Sequence, residues 1–233
     1  MKTIAIILAR GGSKRIPKKN IKPFLGKPII AYSIEAAIQS GLFEEVMVST
    51  DDENIAEIAK NHGANVPFLR SNSTSNDQAT TIDALIEVIN TYGKNNIYFD
   101  VACCLYPTAP FITPEKLTVA YNKLITDNLD VSFPVIRFSY PIWRSLKIED
   151  NKMTMNWPEY MNSRSQDLSE AYHDAGQFYF FKVNTFLKEK KLFGNNSGGI
   201  IIDEMEGQDI DNETDWIIAE IKYKLLKEQY GKF

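Results

Sequence analysis

The chain has 233 residues, 44% of them hydrophobic, with 26 Lys and Arg against 30 Asp and Glu for a net charge of −4. That is enough apolar material for one full core, and too acidic a balance for a general nucleic-acid binder, whose footprint is basic across a whole face. No run approaches the ~20 apolar residues that span a bilayer, and the first apolar stretch leads straight into charge, so neither a membrane span nor a signal peptide is expected and the protein is placed in the cytoplasm.

Thr3 to Leu8 is a continuous apolar run of strand length, as a central parallel strand covered on both faces requires. It opens into Ala9-Arg10-Gly11-Gly12-Ser13-Lys14-Arg15-Ile16-Pro17-Lys18-Lys19-Asn20. The first 34 residues hold eight cations and no carboxylate. In a chain that is acidic overall, such segregation points to an anionic ligand rather than to a solvated basic turn. A Gly-rich, cation-loaded loop behind a buried strand is a place where backbone N–H groups and side-chain charge converge on polyphosphate. The loop lacks the GxxxxGK[ST] spacing, and Gly11-Gly12 without a third glycine fails the dinucleotide fingerprint, which argues against a P-loop ATPase and a nicotinamide-dependent dehydrogenase. Arg10, Lys14 and Lys19 suit a triphosphate, and would stabilise charge accumulating on departing pyrophosphate.

Pro28 to Ile38 repeats its apolar residues at helical spacing and stops at Gly41. Glu45 to Thr50 is a second short strand. Asp51-Asp52-Glu53 starts a helix with acids in its first turn, running to Gly63, where His62 serves helix termination. Asn65 to Leu69 reads as a short extended piece, Thr80 to Tyr92 as an amphipathic helix, and Phe99 to Leu105 as a strand. Cys103 and Cys104 are adjacent, which suits neither a structural disulfide nor a zinc site, and are read as small core residues of that strand. Pro114 opens a helix to about Asp127, and Asp130 to Val135 is strand again. The alternation predicts an α/β fold with a doubly wound, mostly parallel sheet.

After Pro141 the pattern changes. Arg144 to Glu149 and Lys152 to Trp157 alternate on either side of Asp150-Asn151, which predicts a β-hairpin outside the βα alternation. Trp143, Trp157 and Tyr160 are assigned to packing or dimer contacts in this arm. Gln177 to Phe181 and Gly199 to Ile202 read as strands, and Thr214 to about Glu228 as a closing helix. The organisation expected is one domain over 1–233, with an arm inserted at about 137–175 that serves as a substrate lid or makes the protein a homodimer.

Just after the last strand lies Asp209-Ile210-Asp211. In extended geometry alternate side chains share a face, so both carboxylates can meet one hard cation such as Mg²⁺. The blander reading is helix capping by acids before Thr214. Capping needs one acid, and the pair leaves an excess that a metal explains.

The segments Leu8 to Lys14 with Pro17 to Asn20, Val48-Ser49-Thr50-Asp51-Asp52, Pro107-Thr108-Ala109-Pro110 and Asp209-Ile210-Asp211 resemble, in order and across nearly the whole chain, the motifs of the CMP-sugar synthetases. The resemblance implies a Rossmann-like nucleotidyltransferase that moves CMP from CTP to the anomeric hydroxyl of a nonulosonic acid. It implies that Leu8, Ala9, Arg10, Gly11, Ser13, Lys14, Lys19 and Asn20 hold the triphosphate and ribose side of CTP, and that Arg70, Ala79 and Thr81 line the cytosine pocket. Asp209 and Asp211 would hold Mg²⁺ and, with Arg10 and Lys19, carry the catalysis. Tyr106, Arg164, Gln166, His173, Asp174, Gln177 and Tyr179 would face the sugar, whose carboxylate suits a guanidinium fork. The stretches Asn162 to Leu168 and Glu170 to Tyr179 are most similar to the branch of the family that acts on pseudaminic acid. Members acting on sialic acid usually have an Asn-Gly-Ala-Ile-Tyr type sequence where this chain has Ala175-Gly176-Gln177-Phe178-Tyr179, and Gln where it has Tyr106. N-acetylneuraminate, legionaminate and 3-deoxy-manno-octulosonate remain alternative sugars, and a nucleotide-binding module without turnover is the alternative of another class.

Overall fold

The structure is a computed structural model and describes residues 1–231. Its first strand, β1 (Thr3–Leu8), is buried from Thr3 to Ile7. Ala5 and Ile7 pack into one apolar cluster and Ile4 and Ile6 into another on the opposite face, as the period of two along a strand demands. A two-residue hairpin follows, β2 (Pro23–Phe24) and β3 (Lys27–Pro28). Leu25 and Gly26 between them both have positive φ, the backbone that a tight hairpin turn requires. Helix α1 (Ile29–Ser40) ends where Gly41, at φ 64°, returns its N–H to the Ile38 carbonyl.

Strand β4 (Glu45–Ser49) leads into α2 (Glu53–Asn61). The Asp52 carboxylate caps α2 by accepting from the N–H groups of Asn54 and Ile55. His62 closes the helix and pairs with Glu35 at 3.3 Å. A single turn, α3 (Asn72–Ser75), precedes α4 (Thr81–Lys94), whose start is fixed by a capping box between Thr80 and Asp83. Then come β5 (Val101–Leu105), α5 (Pro114–Thr126) with proline in its first turn, and β6 (Val131–Arg137). The predicted hairpin is β7 (Leu146–Glu149) and β8 (Lys152–Met155), with Asp150 and Asn151 at φ 50° and 59° in its turn. Strand β9 (Tyr172–Asp174), β10 (Phe178–Lys182), α6 (Val183–Glu189), β11 (Ser197–Ile202) and α7 (Glu213–Tyr230) complete the order.

The main sheet runs β11-β6-β10-β5-β1-β4, with β9 alongside β6. β1 is parallel to both β4 and β5, and β11 is parallel to β6. β10 is antiparallel to both its neighbours, so the sheet is mixed at the centre and parallel to either side. Because the chain leaves β1 for β4 on one side and returns to β5 on the other, the strand order reverses at β1. The crevice beyond the carboxyl ends of strands at such a point is where open α/β sheets bind ligands.

The extended piece expected over Asn65 to Leu69 reduces to one bridge between Asn65 and Met47. Pro67 has no N–H for a ladder, and the chain turns inward so that Arg70 N–H donates to the Thr50 carbonyl at 2.8 Å. Cys103 and Cys104 are buried and unbridged in β5, and burial raises the thiol pKa of Cys104 to about 12. Trp143 packs edge-on against Trp157 at 5.4 Å and against Tyr160 at 5.8 Å beside the β7–β8 hairpin. Among the described residues no helix is long and apolar enough to cross a membrane.

A third apolar cluster does most to place the site. Phe24, Tyr32, Trp216 and Tyr223 meet edge to face with ring centroids 5.3 to 5.7 Å apart. Ile16 of the basic loop and Ile210 of the acidic loop are both fully buried in this cluster. Each loop is thus anchored by one isoleucine in a shared core, and their charged neighbours are left at one mouth.

Candidate active site

The basic loop begins where Ala9, fully buried, donates its N–H to the Ser49 carbonyl at 3.0 Å. The Arg10 carbonyl accepts from Asn20 Nδ2 at 2.9 Å, which closes the loop on itself. Gly11 N–H donates to Asp51 Oδ1 at 2.9 Å. A Cβ on Gly11 would lie 2.9 Å from Asp52 Cβ, closer than side chains tolerate, so glycine is required for the loop to lie against the start of α2. Leu8 packs into the cluster beneath. Ser13 N–H turns back to the Gly11 carbonyl at 2.9 Å. This scaffold leaves Arg10, Lys14 and Arg15 projecting from a backbone held at both ends.

Across the mouth stands the acidic pair. Ile210 is buried while Asp209 and Asp211 are not, the alternation expected of an extended segment. The capping alternative is answered directly: Asn212 Oδ1 accepts from the N–H groups of Thr214 and Asp215, and Asp215 completes the capping box. Asp209 and Asp211 are left out of the cap. Burial, and then repulsion from Asp211, raise the pKa of Asp209 above the ordinary carboxylate value. The loop carrying the pair is held from behind by Lys222 Nζ, which donates to the carbonyls of Glu204 and Gly207 at 3.0 and 2.9 Å. Gln177 Nε2 adds a bond to the Glu206 carbonyl at 2.6 Å.

The two loops touch. Arg15 Nη1 lies 2.8 Å from Asp211 Oδ2. Lys19 Nζ, only 20% exposed, donates to the Ile210 carbonyl at 2.7 Å and lies 3.9 Å from Asp211 Oδ1. Burial lowers the Lys19 pKa, with Asp211 and Asp209 opposing that shift. Residues 191 positions apart therefore form one charged constellation. The acids fit a hard divalent cation: both donors are carboxylate oxygens, and Arg15 already occupies one of them with positive charge. Among the described residues no third His, Cys, Asp or Glu side chain joins them.

On the other flank, Arg10 Nη1 donates to the Asn76 carbonyl and to Asp77 Oδ1, each at 3.0 Å, and Lys14 Nζ donates to Asp77 Oδ2. Asn76 Oδ1 accepts from the N–H groups of Gln78 and Ala79, building the turn that leads to Thr81. Arg70 is buried, with Nε donating to Ser49 Oγ at 3.0 Å and Nη2 to the Ser49 carbonyl at 2.5 Å. Burial lowers its pKa, but a guanidinium keeps its charge. Arg70 thus braces the carboxyl end of β4, beside the basic loop.

Tyr106, immediately after β5, joins this region to the sugar-side residues. Its ring meets that of Tyr179 edge-on at 5.7 Å, and the Tyr179 hydroxyl donates to Asp174. His173 Nδ1 lies 2.9 Å from the Asp174 carbonyl, and its ring is 4.9 Å from Phe138. Gln177 is 1% exposed and lies beneath the site, and its Oε1 has no partner among the described residues. Arg164 and Gln166 are not joined to Tyr106, Tyr179 or Asp174. Arg164 pairs with Asp167 at 2.7 Å, and Gln166 lines a groove with Arg137, Tyr140 and Glu170 on the arm.

Three residues at the mouth lie outside the set read from sequence. Arg15 stood in the basic run but was not singled out from it. Asp51 stood within a family-like segment, Val48 to Asp52, without being assigned a role, and Asp77 carries no signal that separates it from ordinary turn and cap acids.

A family model described as cytidylyltransferase matches residues 4–196. Pseudaminic acid cytidylyltransferase of Campylobacter jejuni is 43% identical over 229 residues, covering 98% of this chain and 99% of that protein. CMP-N,N'-diacetyllegionaminic acid synthase of Legionella pneumophila is 33% identical, covering 98% and 99%. Among solved structures, CMP:2-keto-3-deoxy-manno-octonic acid synthetase complexed with CTP superimposes with a TM-score of 0.70 at 19% identity, over 98% of this chain and all of that one.

Proposed function

The chain belongs to the cytidylyltransferase family, and from that premise we propose that it transfers CMP from CTP to the anomeric hydroxyl of pseudaminic acid, releasing pyrophosphate. The observation that carries this reading is the contact of Arg15 and Lys19 with the Asp209–Asp211 loop. It brings polyphosphate-type cations and metal-type acids to one mouth, at the point where the strand order reverses. In the reaction the sugar oxygen forms a bond to the α-phosphorus, the bond to pyrophosphate breaks, and the hydroxyl proton departs. Little covalent work falls to the protein, so positioning and charge neutralisation account for most of the rate. Arg10 and Lys14 hold the outer phosphates, Lys19 supports the acidic loop, and Asp209 and Asp211 are the residues that would hold Mg²⁺. When bound, the ion would neutralise phosphate charge as it moves toward the leaving group.

The choice of pseudaminic acid rests on the Campylobacter relative, with which this chain shares 43% of its residues end to end. Legionaminate follows from the 33% identical relative as the second sugar. The Tyr106–Tyr179 ring contact and the Tyr179–Asp174 hydrogen bond group these three residues on the sugar side. Arg164 and Gln166 lie on the arm, Arg164 paired with Asp167 and Gln166 in the groove beside Tyr140, and so reach a sugar only if the arm of one protomer meets the core of its partner. The exposed Leu146, Ile148 and Met153 of the β7–β8 hairpin support a homodimer built through that arm. Unbridged Cys103 and Cys104 are in keeping with a cytoplasmic protein.

Purified protein incubated with CTP, Mg²⁺ and each sugar in turn tests the proposal by pyrophosphate release. Release is expected with pseudaminic acid, at a kcat/KM at least about tenfold above that for legionaminate or N-acetylneuraminate. Release with another sugar and none with pseudaminic acid rejects the substrate; no release with any sugar, alongside tight CTP binding, favours the binding module. The same preparation should sediment at twice the 26.5 kDa of one chain.

A further inference from the structure

Asp77 lies outside every motif that pointed to the nucleotide site, yet it engages two of that site's cations. Its two oxygens are divided between them, Oδ1 to Arg10 at 3.0 Å and Oδ2 to Lys14. Arg10 is further tied to the same turn through the Asn76 carbonyl at 3.0 Å. A carboxylate bridging a guanidinium and an ammonium makes the contacts that a phosphate group makes. The carboxylate is half exposed, at 51%, and no core contact fixes it. Its turn is built locally, by Asn76 Oδ1 accepting from Gln78 and Ala79. The opposite half of the mouth has the same arrangement with the signs reversed, Arg15 standing on Asp211 at 2.8 Å.

We propose that Asp77 is the site's own substitute for the outer phosphates: it neutralises Arg10 and Lys14 between turnovers, is displaced by the triphosphate, and returns as pyrophosphate leaves. The inference rests on the nucleotide reading above and gives that site a built-in competitor. The competitor keeps paired two cations that would otherwise face each other unneutralised. It also weakens the hold on pyrophosphate, a product carrying the same charge that the loop is made to attract. Exposed pairs of this kind are weak, so the competition is worth roughly three- to tenfold in affinity.

Calorimetric titration of the parent and of Asp77→Asn with CTP, inorganic pyrophosphate and cytidine, without divalent ion, tests it. The variant is expected to bind CTP and pyrophosphate roughly three- to tenfold more tightly and cytidine unchanged. Pyrophosphate should become a stronger product inhibitor by the same factor. Equal or weaker binding of CTP and pyrophosphate overturns the proposal. So does a matching gain for cytidine, which would mean that the turn shapes the base pocket instead. Asp77→Ser, which lacks the amide, guards against a new hydrogen bond made by Asn. A parent that binds pyrophosphate but not CTP sinks the nucleotide reading while pyrophosphate still scores Asp77; a parent that binds neither sinks both.

Discussion

Asp211→Asn is expected to lower kcat by roughly three orders of magnitude while weakening CTP binding about tenfold or less, and Asp209→Asn to do the same. Both substitutions keep the shape of the side chain and remove the charge that a divalent ion needs. The split between kcat and affinity follows from the site's construction: Arg10, Lys14 and Lys19 still attract the triphosphate, whereas the group that stabilises charge on the leaving phosphates is lost. A non-catalytic module predicts instead that CTP binding is indifferent to either change. A second readout separates chemistry from damage to the fold. Asp209 has its pKa raised by burial and by Asp211, so its ionised form is less favourable in the folded protein than in the unfolded chain. Its contribution is favourable below the unfolded value and is lost as pH rises through the folded one. At neutral pH the ionised group therefore costs stability. In metal-free protein at pH 7, Asp209→Asn should melt at or above the parent's Tm, although it is nearly inactive. A clear fall in Tm would mean that the carboxylate is structural.

Lys19→Met is expected to lower kcat/KM about 10²- to 10³-fold. The ammonium sits in a slot between the two loops, donating to the Ile210 carbonyl at 2.7 Å, 3.9 Å from Asp211. Removing it deletes a positive charge beside two carboxylates and leaves a carbonyl without its partner, a loss of about 1–3 kcal/mol in itself. The acidic loop then loses one of its two direct ties to the basic one, with only the Arg15–Asp211 pair remaining, so kcat and CTP affinity fall together, unlike in the aspartate variants. Lys19→Arg should not restore activity, because a planar guanidinium does not fit a slot shaped for a point charge on a straight stem. Steady-state kinetics with CTP binding measured separately distinguish these patterns. Parent-like kcat/KM in Lys19→Met would remove the lysine from the account.

Much of the architecture was legible because local signals agreed with the tertiary outcome. Thr3 to Leu8 was read as a buried strand and is one, and Gly41, Pro114 and the Asp150-Asn151 turn punctuate the chain where backbone rules place them. Val183–Glu189 and Tyr172–Asp174 were not foreseen. The first follows β10 without a punctuating residue, and the second is a three-residue strand that exists only by pairing with β6. The antiparallel direction of β10 was equally hidden, since periodicity reports which faces are buried and says nothing of direction.

At the site, the two loops were legible as separate statements, one basic and one acidic. What joins them was not. Ile16 and Ile210 meet in a core also made by Phe24, Tyr32, Trp216 and Tyr223, a packing fact spread over two hundred residues. Arg15 and Asp77 matter because of which opposite charges face them, a property of the fold alone. Gln177 was expected toward the sugar on family resemblance; in the fold its amide donates to the Glu206 carbonyl behind the acidic loop.

The most direct measurement is a crystal structure of the protein with CTP and Mn²⁺, the ion located by its anomalous signal. One nucleotide should lie over the end of β1, its outer phosphates on Arg10 and Lys14 in place of Asp77, and one ion should bridge its phosphate oxygens to Asp209 and Asp211. A triphosphate that engages the basic loop with the ion elsewhere, or an ion on the aspartates out of reach of the phosphates, would contradict the account.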